Sequence, residues 1–293
     1  MNIRTYVFAA LVMFGCSATL SAQSGPPPES LRRTITFQNT ECEYFVWLPP
    51  KFDRNKPYWL LAAIYSPPML NGLQRAIAGA GFDAILISPT FREDDINLTR
   101  FPVSSERDFF TQVIKAVRAE YSVRPRILLT GYSRGAQFAH RYAFAHPGEI
   151  EALAPLASGT WTTPDGRLLV EEIGEVRDAR KFLSDRQNAK SIPARLADLF
   201  DPEIAAVAET KAVKGSERIP VLVMCGTLDP RLPIAKEFAL SLEAHGYRVS
   251  TGWPRTPHVC GPGNPKCGAE FGAEFALYPT ATVDFFQQVT RSK

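Results

Sequence analysis

Apolar positions along the chain occur in two patterns, which predict two kinds of element. Residues 58–65 form an almost unbroken apolar run, as is typical of a strand buried on both faces. Phe109, Val113, Ile114 and Val117 instead keep the spacing of one helical face. Because strands and helices alternate along most of the chain, the pattern predicts an α/β fold: a mostly parallel sheet covered by helices on both faces.

The remaining elements follow from the same two patterns. Strands are predicted at residues 34–37, 42–48, 58–65, 84–88, 126–130, 152–157, 219–225 and 247–252. Helices are predicted at residues 73–80, 105–121, 136–145, 234–244 and 279–289. Residues 164–217 are highly charged and are predicted to be mostly helical, either as a lid over a site or as a solvated excursion.

The N-terminus has the pattern of a secretory signal peptide. Arg4 precedes an apolar run at residues 6–14, and small residues follow to Ala22, which predicts a signal peptide over residues 1–23. The run is too short for a transmembrane anchor. Residues 24–30 are predicted to be a disordered lead-in to a domain at residues 31–293. The protein is therefore expected to be secreted or periplasmic, with lipid attachment at Cys16 as an alternative.

Composition narrows the classes of partner. The chain has 293 residues and a formal net charge of +3, and it contains no run of Lys and Arg that would track phosphates. Nucleic acid is therefore not an expected partner. No Cys/His cluster has zinc spacing and no Gly-rich phosphate loop is present, so neither a metal nor a cofactor is expected. The oligomeric state is left open.

The most informative motif is Gly-Tyr-Ser-Arg-Gly at residues 131–135, between a predicted strand and a small-residue helical pattern. This is the strand–turn–helix context of a nucleophile elbow, with Ser133 as the nucleophile. Gly131 and Gly135 occupy the two places where strand and helix nearly touch. A plain Gly-rich turn is the alternative.

The partners that activate such a serine follow in the chain order Ser, Asp, His. Asp229 follows a predicted strand, although it is also placed as a cap or turn residue before the next helix. His258 lies beyond the last predicted strand and is interpreted as the base. The other three histidines, His140, His146 and His245, lie on or at the ends of helices and are interpreted as structural.

These stretches resemble the α/β-hydrolase superfamily, and most of all its secreted esterases: polyhydroxybutyrate depolymerases, feruloyl esterases and acetyl xylan esterases. The resemblance implies the α/β-hydrolase fold and a Ser133–Asp229–His258 triad. The backbone N–H of Arg134 is one expected oxyanion donor. Relatives supply a second N–H where this chain has Pro67, which has none.

Three groups near Pro67 are candidates for the second oxyanion donor. The hydroxyl of Tyr65 is favoured, with the N–H of Ser66 or Met69 as the fallback, and a Tyr65 that merely packs beneath the turn is the alternative. Trp161 and Tyr132 are the candidates for substrate binding, although an indole such as Trp161 is also commonly a packing residue.

Four cysteines remain after the signal peptide. Cys260 and Cys267 close a short Gly/Pro loop directly after His258, and a disulfide between them would stiffen the loop that carries the base. Cys42 and Cys225 belong to strands expected at different places in the sheet and are interpreted as buried free thiols.

The sequence thus predicts a secreted serine esterase that cleaves small-molecule or polymer esters, including those of plant cell walls, through an acyl-enzyme. A serine peptidase of the prolyl-oligopeptidase kind and a catalytically inactive binding protein of the same fold remain as alternatives.

Overall fold

The computed structural model describes residues 30–64, 67–90, 103–165, 167–170, 174–176, 218–258 and 275–291. The strands among them are β1 (Leu31–Phe37), β2 (Thr40–Trp47), β3 (Tyr58–Ile64), β4 (Ala84–Pro89), β5 (Val123–Tyr132), β6 (Ile150–Leu156), β7 (Thr160–Thr162), β8 (Leu168–Val170), β9 (Gly174–Val176), β10 (Val221–Met224) and β11 (Val249–Gly252). The α-helices are α1 (Pro67–Ala80), α2 (Val103–Glu120), α3 (Arg134–Ala145), α4 (Leu232–Ala244) and α5 (Leu277–Arg291), and a 3₁₀ turn spans Pro147–Glu149.

Eight strands form the main sheet in the order β1-β2-β4-β3-β5-β6-β10-β11. The β1–β2 and β2–β4 pairs are antiparallel, and every later pair is parallel. The β1–β2 hairpin turns at Gln38 and Asn39, whose φ angles of 47° and 61° are the left-handed pair that a two-residue hairpin turn requires. The mostly parallel, helix-covered sheet predicted from the sequence is therefore confirmed.

The central strands read as apolar runs because helices cover both of their faces. Residues Leu60 to Ile64 of β3 are completely buried, as are Ile127, Leu128 and Leu129 of β5. At the end of β5, Gly131 contacts α3, whereas the next residue, Tyr132, contacts Tyr278 of α5. Since successive strand residues point to opposite faces, α3 and α5 cover opposite sides of the sheet.

All five helices begin earlier than the sequence pattern predicted, α1 by six residues and each of the others by two. Helix α1 begins at Pro67 rather than at residue 73, and α5 begins at Leu277 rather than at residue 279. Pro67 and Pro68 precede the predicted helix, yet proline is well suited to the first turn of a helix, where its missing N–H has no intrahelical partner. The chain therefore passes from β3 to α1 through only two residues, 65 and 66.

The start of the charged segment 164–217 is not helical, so that part of the prediction is wrong. Strands β7, β8 and β9 form a small antiparallel sheet, in which Trp161 pairs with Leu169 and Leu168 pairs with Val176. Thr162 and Leu168 are completely buried, and this burial favours strands over a solvated helix. The rest of the segment, residues 177–217, lies outside the described residues, as do the predicted signal peptide and most of the lead-in.

Candidate active site

The nucleophile elbow is formed where β5 meets α3. Ser133 has φ 54° and ψ −114°, a strained combination for a residue with a side chain, and its N–H donates to the Leu156 carbonyl at 2.8 Å. A Cβ on Gly131 would lie 2.2 Å from the Gly135 carbonyl oxygen. Only glycine therefore fits at residue 131, and the close crossing of strand and helix expected from the motif is present.

Three side chains from distant parts of the chain form one hydrogen-bonded series at this elbow. Ser133 Oγ lies 2.9 Å from His258 Nε2, and His258 Nδ1 lies 2.7 Å from Asp229 Oδ2. Because a carboxylate can only accept, Nδ1 carries the proton and Nε2 is left to accept from the serine hydroxyl. The structure therefore brings together the three residues that the sequence singled out.

The Asp229 carboxylate is buried and held from both oxygens. Oδ1 accepts the backbone N–H of Arg231 at 3.0 Å, while Oδ2 accepts from His258. Burial acts to raise the pKa of Asp229, but the hydrogen bond and charge of His258, together with Arg231, outweigh it and hold this pKa below its ordinary value. The carboxylate is thus ionised and able to stabilise a positive imidazolium.

Asp229 and His258 meet because the two loops that carry them cross in backbone contact. After β10, the N–H of Thr227 donates to the Pro254 carbonyl at 2.8 Å, and that of Leu228 donates to the Thr256 carbonyl at 3.3 Å. A Cβ on Gly226 would lie 1.8 Å from the Thr256 carbonyl oxygen. Nothing in the sequence alone singles out Gly226 or Thr256, because this contact joins two loops about thirty residues apart.

The Tyr132 side chain lies beneath the base rather than in a substrate cleft. Its ring stacks on the His258 imidazole, with ring centroids 5.4 Å apart and an interplanar angle of 20°. Tyr132 is only 7% exposed, and Phe275 and Tyr278 contact its ring edge-on. The prediction that Tyr132 binds substrate is therefore wrong, since a buried ring in these contacts has no surface to offer.

Trp161 is likewise a packing residue. Its side chain is completely buried on β7, where the indole stacks on Phe238 of α4 at 4.3 Å and contacts His140 of α3 at 5.3 Å. The expectation that Trp161 forms a wall of the substrate site is wrong, and the packing alternative holds. The loop position that suggested exposure is in fact a short strand covered by α3 and α4.

Of the remaining histidines, His140 is a structural residue, as expected. His140 is completely buried, and its Nδ1–H donates to the Ala136 carbonyl at 2.7 Å while Nε2 accepts the Thr162 N–H at 3.1 Å. Burial, with a smaller contribution from the neighbouring Arg141 charge, lowers the pKa of His140 to about 3 despite the hydrogen bond to Ala136. A neutral imidazole therefore ties α3 to the small sheet.

The candidate oxyanion donors are only partly described. Arg134 is the first residue of α3, next to Ser133, as its expected role requires. Tyr65 and Ser66 lie outside the described residues. Because Pro67 and Pro68 begin α1 and lack N–H groups, the N–H of Met69 is the first that α1 presents after β3.

Two of the four cysteines after the predicted signal peptide, Cys42 and Cys225, lie in the described part of the chain. Cys225 is a buried free thiol just after β10. Cys42 on β2 is also not in a disulfide, but it is half-buried rather than buried as predicted, and β4, β3, β5 and β6 separate its strand from that of Cys225. Cys260 and Cys267 lie outside the described residues, so their disulfide stays a prediction.

Within the described ranges, no group of three or more His, Cys, Asp or Glu side chains is arranged to hold a metal ion, and no helix has the length and apolar character to cross a membrane.

No sequence profile of a known family matches the chain, and no curated protein matches it by sequence. Similar folds are found among solved structures. A ferulic acid esterase has a TM-score of 0.64 at 15% identity, covering 89% of this chain and 98% of that one. Brefeldin A esterase, described as a bacterial homologue of human hormone-sensitive lipase, has a TM-score of 0.60 at 15% identity, covering 94% of this chain and 81% of that one. The Pyrococcus horikoshii acylaminoacyl peptidase has 0.59 at 14% identity, covering 88% of this chain and 41% of that one.

Structural similarity at such low sequence identity establishes the fold alone. The chain has the α/β-hydrolase fold, and the prediction of that fold is confirmed.

Proposed function

We propose that the protein is a serine hydrolase that cleaves carboxylic esters through an acyl-enzyme on Ser133. The observation that carries the proposal is the hydrogen-bonded series Ser133–His258–Asp229, set on a strained elbow with contacts of 2.9 and 2.7 Å. A serine hydroxyl becomes a useful nucleophile only when an oriented base can take its proton, and this geometry provides both base and orientation. The proteins of similar structure include an arylesterase and a ferulic acid esterase, and this likeness supports ester chemistry.

The proposed reaction has two halves. His258 Nε2 takes the hydroxyl proton as Ser133 Oγ bonds to the ester carbonyl carbon, and the carbonyl electrons move to the oxygen. When that oxyanion collapses, the ester C–O bond breaks and the alcohol leaves with the proton from His258. Water then gives a proton to His258 and attacks the acyl carbon, and the resulting oxyanion collapses to the free acid as His258 returns that proton to the leaving Ser133 Oγ. Asp229 keeps the imidazole tautomer and stabilises its charged form.

The oxyanion is proposed to receive two hydrogen bonds. The N–H of Arg134 at the start of α3 is the first donor. The Tyr65 hydroxyl is proposed as the second, with the N–H of Ser66 or Met69 as the fallback. Tyr65→Phe distinguishes them: a loss in kcat of about a hundredfold with little change in KM supports the hydroxyl. A Phe variant with wild-type kcat assigns the bond to a backbone group.

The substrate class and location are proposed from the sequence. The signal-peptide pattern of residues 1–23 supports a secreted or periplasmic enzyme, and the resemblance to secreted esterases supports polymer or plant-cell-wall esters as substrates. The charged segment 164–217 is proposed to act as a lid over the site, with a solvated excursion as the alternative, and its residues 177–217, beyond the small sheet, are the part to trim. Trimming them should change the preference between short and bulky esters more than it changes the free energy of unfolding.

A peptidase is the second candidate, because one structure of similar fold is an acylaminoacyl peptidase. Hydrolysis of p-nitrophenyl esters should be compared with that of peptide p-nitroanilides, for the wild type beside Ser133→Ala. Ester turnover that disappears in the Ser133→Ala variant supports the proposal, whereas faster turnover of the anilides favours the peptidase. A wild-type protein that hydrolyses neither and still binds ester analogues would be the inactive relative.

A further inference from the structure

The His258 imidazole is held at its face as well as at its edges. Its two nitrogens face Ser133 and Asp229, and these contacts fix the ring only within its own plane. One face of the ring lies against the Tyr132 ring, with centroids 5.4 Å apart and planes 20° from parallel. The proposed ester chemistry uses neither this face nor Tyr132.

Tyr132 and His258 lie on different parts of the sheet, Tyr132 on a central strand and His258 on a loop at the edge. Tyr132 is the last residue of β5, a central strand, and it pairs with Leu156 of β6. Phe275 packs edge-on against its ring at 5.4 Å, and Tyr278 does so at 5.7 Å. His258 instead lies on a loop after β11, the edge strand of the sheet. The stacking contact therefore holds the side chain of an edge loop against a side chain of a central strand.

We propose that Tyr132 is a positioning residue for His258, a role that rests on the function proposed above. Its ring stops the imidazole from tilting out of line with the Ser133 hydroxyl. An aromatic ring attracts a cation whose centre lies within roughly 6 Å of the ring centroid, and the imidazole lies within that distance of the Tyr132 ring. The Tyr132 ring therefore also stabilises the imidazolium that forms when His258 takes the serine proton. The effect belongs to the transition state and to the charged intermediate, not to substrate binding.

The aromatic ring, rather than the hydroxyl, carries this role. The Tyr132 hydroxyl is buried and has no hydrogen-bond partner among the described residues. Burial, with a smaller contribution from the Asp229 charge, raises the pKa of Tyr132 far above its ordinary value, so the phenol stays neutral. Phenylalanine should therefore replace tyrosine here, and an aliphatic residue of similar volume should not.

The test compares Tyr132→Leu with Tyr132→Phe in p-nitrophenyl ester hydrolysis, with kcat expressed per active site titrated by a fluorophosphonate. Tyr132→Leu should lose about tenfold in kcat with KM changed less than twofold, and Tyr132→Phe should restore kcat to within about twofold of the wild type. If the Leu variant does not fold, Tyr132→Met refills the volume without a ring and carries the same expectation.

Tyr142→Leu is the matched control, because Tyr142 is also buried and stacks on a histidine, His146, at 4.6 Å. Its kcat per titrated site should be that of the wild type even if its melting temperature falls. A Tyr132→Leu variant with wild-type kcat, or a Phe variant as slow as the Leu variant, would overturn the inference while the ester activity stands. Hydrolysis that persists undiminished in Ser133→Ala would overturn both the inference and the proposed function.

Discussion

Replacing Gly226 with alanine tests whether the crossing of two loops sets the geometry of the acid and the base. The new Cβ would lie 1.8 Å from the Thr256 carbonyl oxygen, 2.8 Å from the carbonyl carbon and 3.0 Å from Thr256 Cγ2. These atoms belong to backbone and to a completely buried residue, so no flexible side chain can yield. Restoring ordinary contact requires the two segments to part by roughly 1.5 Å.

Such a separation acts directly on the candidate site. Asp229 lies three residues after Gly226 and His258 two residues after Thr256, so the displacement must lengthen the 2.7 Å contact between their side chains. A misplacement of about 1 Å in a catalytic group costs on the order of a hundredfold, whereas overpacking a core costs about 1–3 kcal/mol of stability. Because domains are stable by about 5–15 kcal/mol, Gly226→Ala should remain folded but lose about a hundredfold in kcat.

The assay measures kcat on a p-nitrophenyl ester and the free energy of unfolding in urea on the same preparations. Gly79→Ala is the control, since a Cβ at that helical position has no neighbour within 4 Å and should stabilise α1 by about 0.5–1 kcal/mol with unchanged kcat. A folded Gly226→Ala enzyme with wild-type kcat would refute the reasoning, because the loops would then have parted without moving the acid from the base.

Three further predictions concern stability. Neutral His140 accepts the Thr162 N–H, and its folded pKa of about 3 lies below the unfolded value of about 6.5, so its stabilisation is complete above pH 6.5 and is lost as the pH falls towards 3. Between pH 7.5 and pH 5, the free energy of unfolding in urea should fall by about 2 kcal/mol more for the wild type than for His140→Gln. An equal fall in the two proteins would contradict this. Tyr278→Phe should unfold at the same or a higher urea concentration, because the buried hydroxyl it removes has no partner among the described residues; a loss above about 1 kcal/mol would reveal one. Peptide mapping without reductant should find Cys260 joined to Cys267, a link that contributes about 2–3 kcal/mol; two free thiols would refute it.

Local sequence signals predicted much of the fold and of the candidate site. The apolar run of β3, the Gly131–Gly135 spacing and the order Ser133, Asp229, His258 each follow from short-range rules that a single chain displays. The structure bears out the sheet and the elbow, and it places the three side chains together.

What the sequence did not predict depends on contacts between distant segments. The sequence suggested substrate binding for Trp161, near a predicted loop, and for Tyr132, next to the nucleophile. In the structure α3 and α4 bury Trp161, and α5 packs against Tyr132. Strand β8 was read as helix because its charged surroundings hid three apolar residues that pair with β7. Burial of this kind is set by the packing of helices onto the sheet, which no local pattern specifies.

The central claim, that Ser133 is the nucleophile of an ester hydrolase, is tested most directly by covalent labelling. Wild-type protein and Ser133→Ala should each be treated with a fluorophosphonate, digested and analysed by mass spectrometry, with ester hydrolysis followed in parallel. One label per chain on the peptide that contains Ser133, loss of hydrolysis in proportion to labelling, and neither label nor hydrolysis in Ser133→Ala are the predicted results. A wild-type enzyme that hydrolyses esters while its Ser133 peptide stays unmodified would contradict the account.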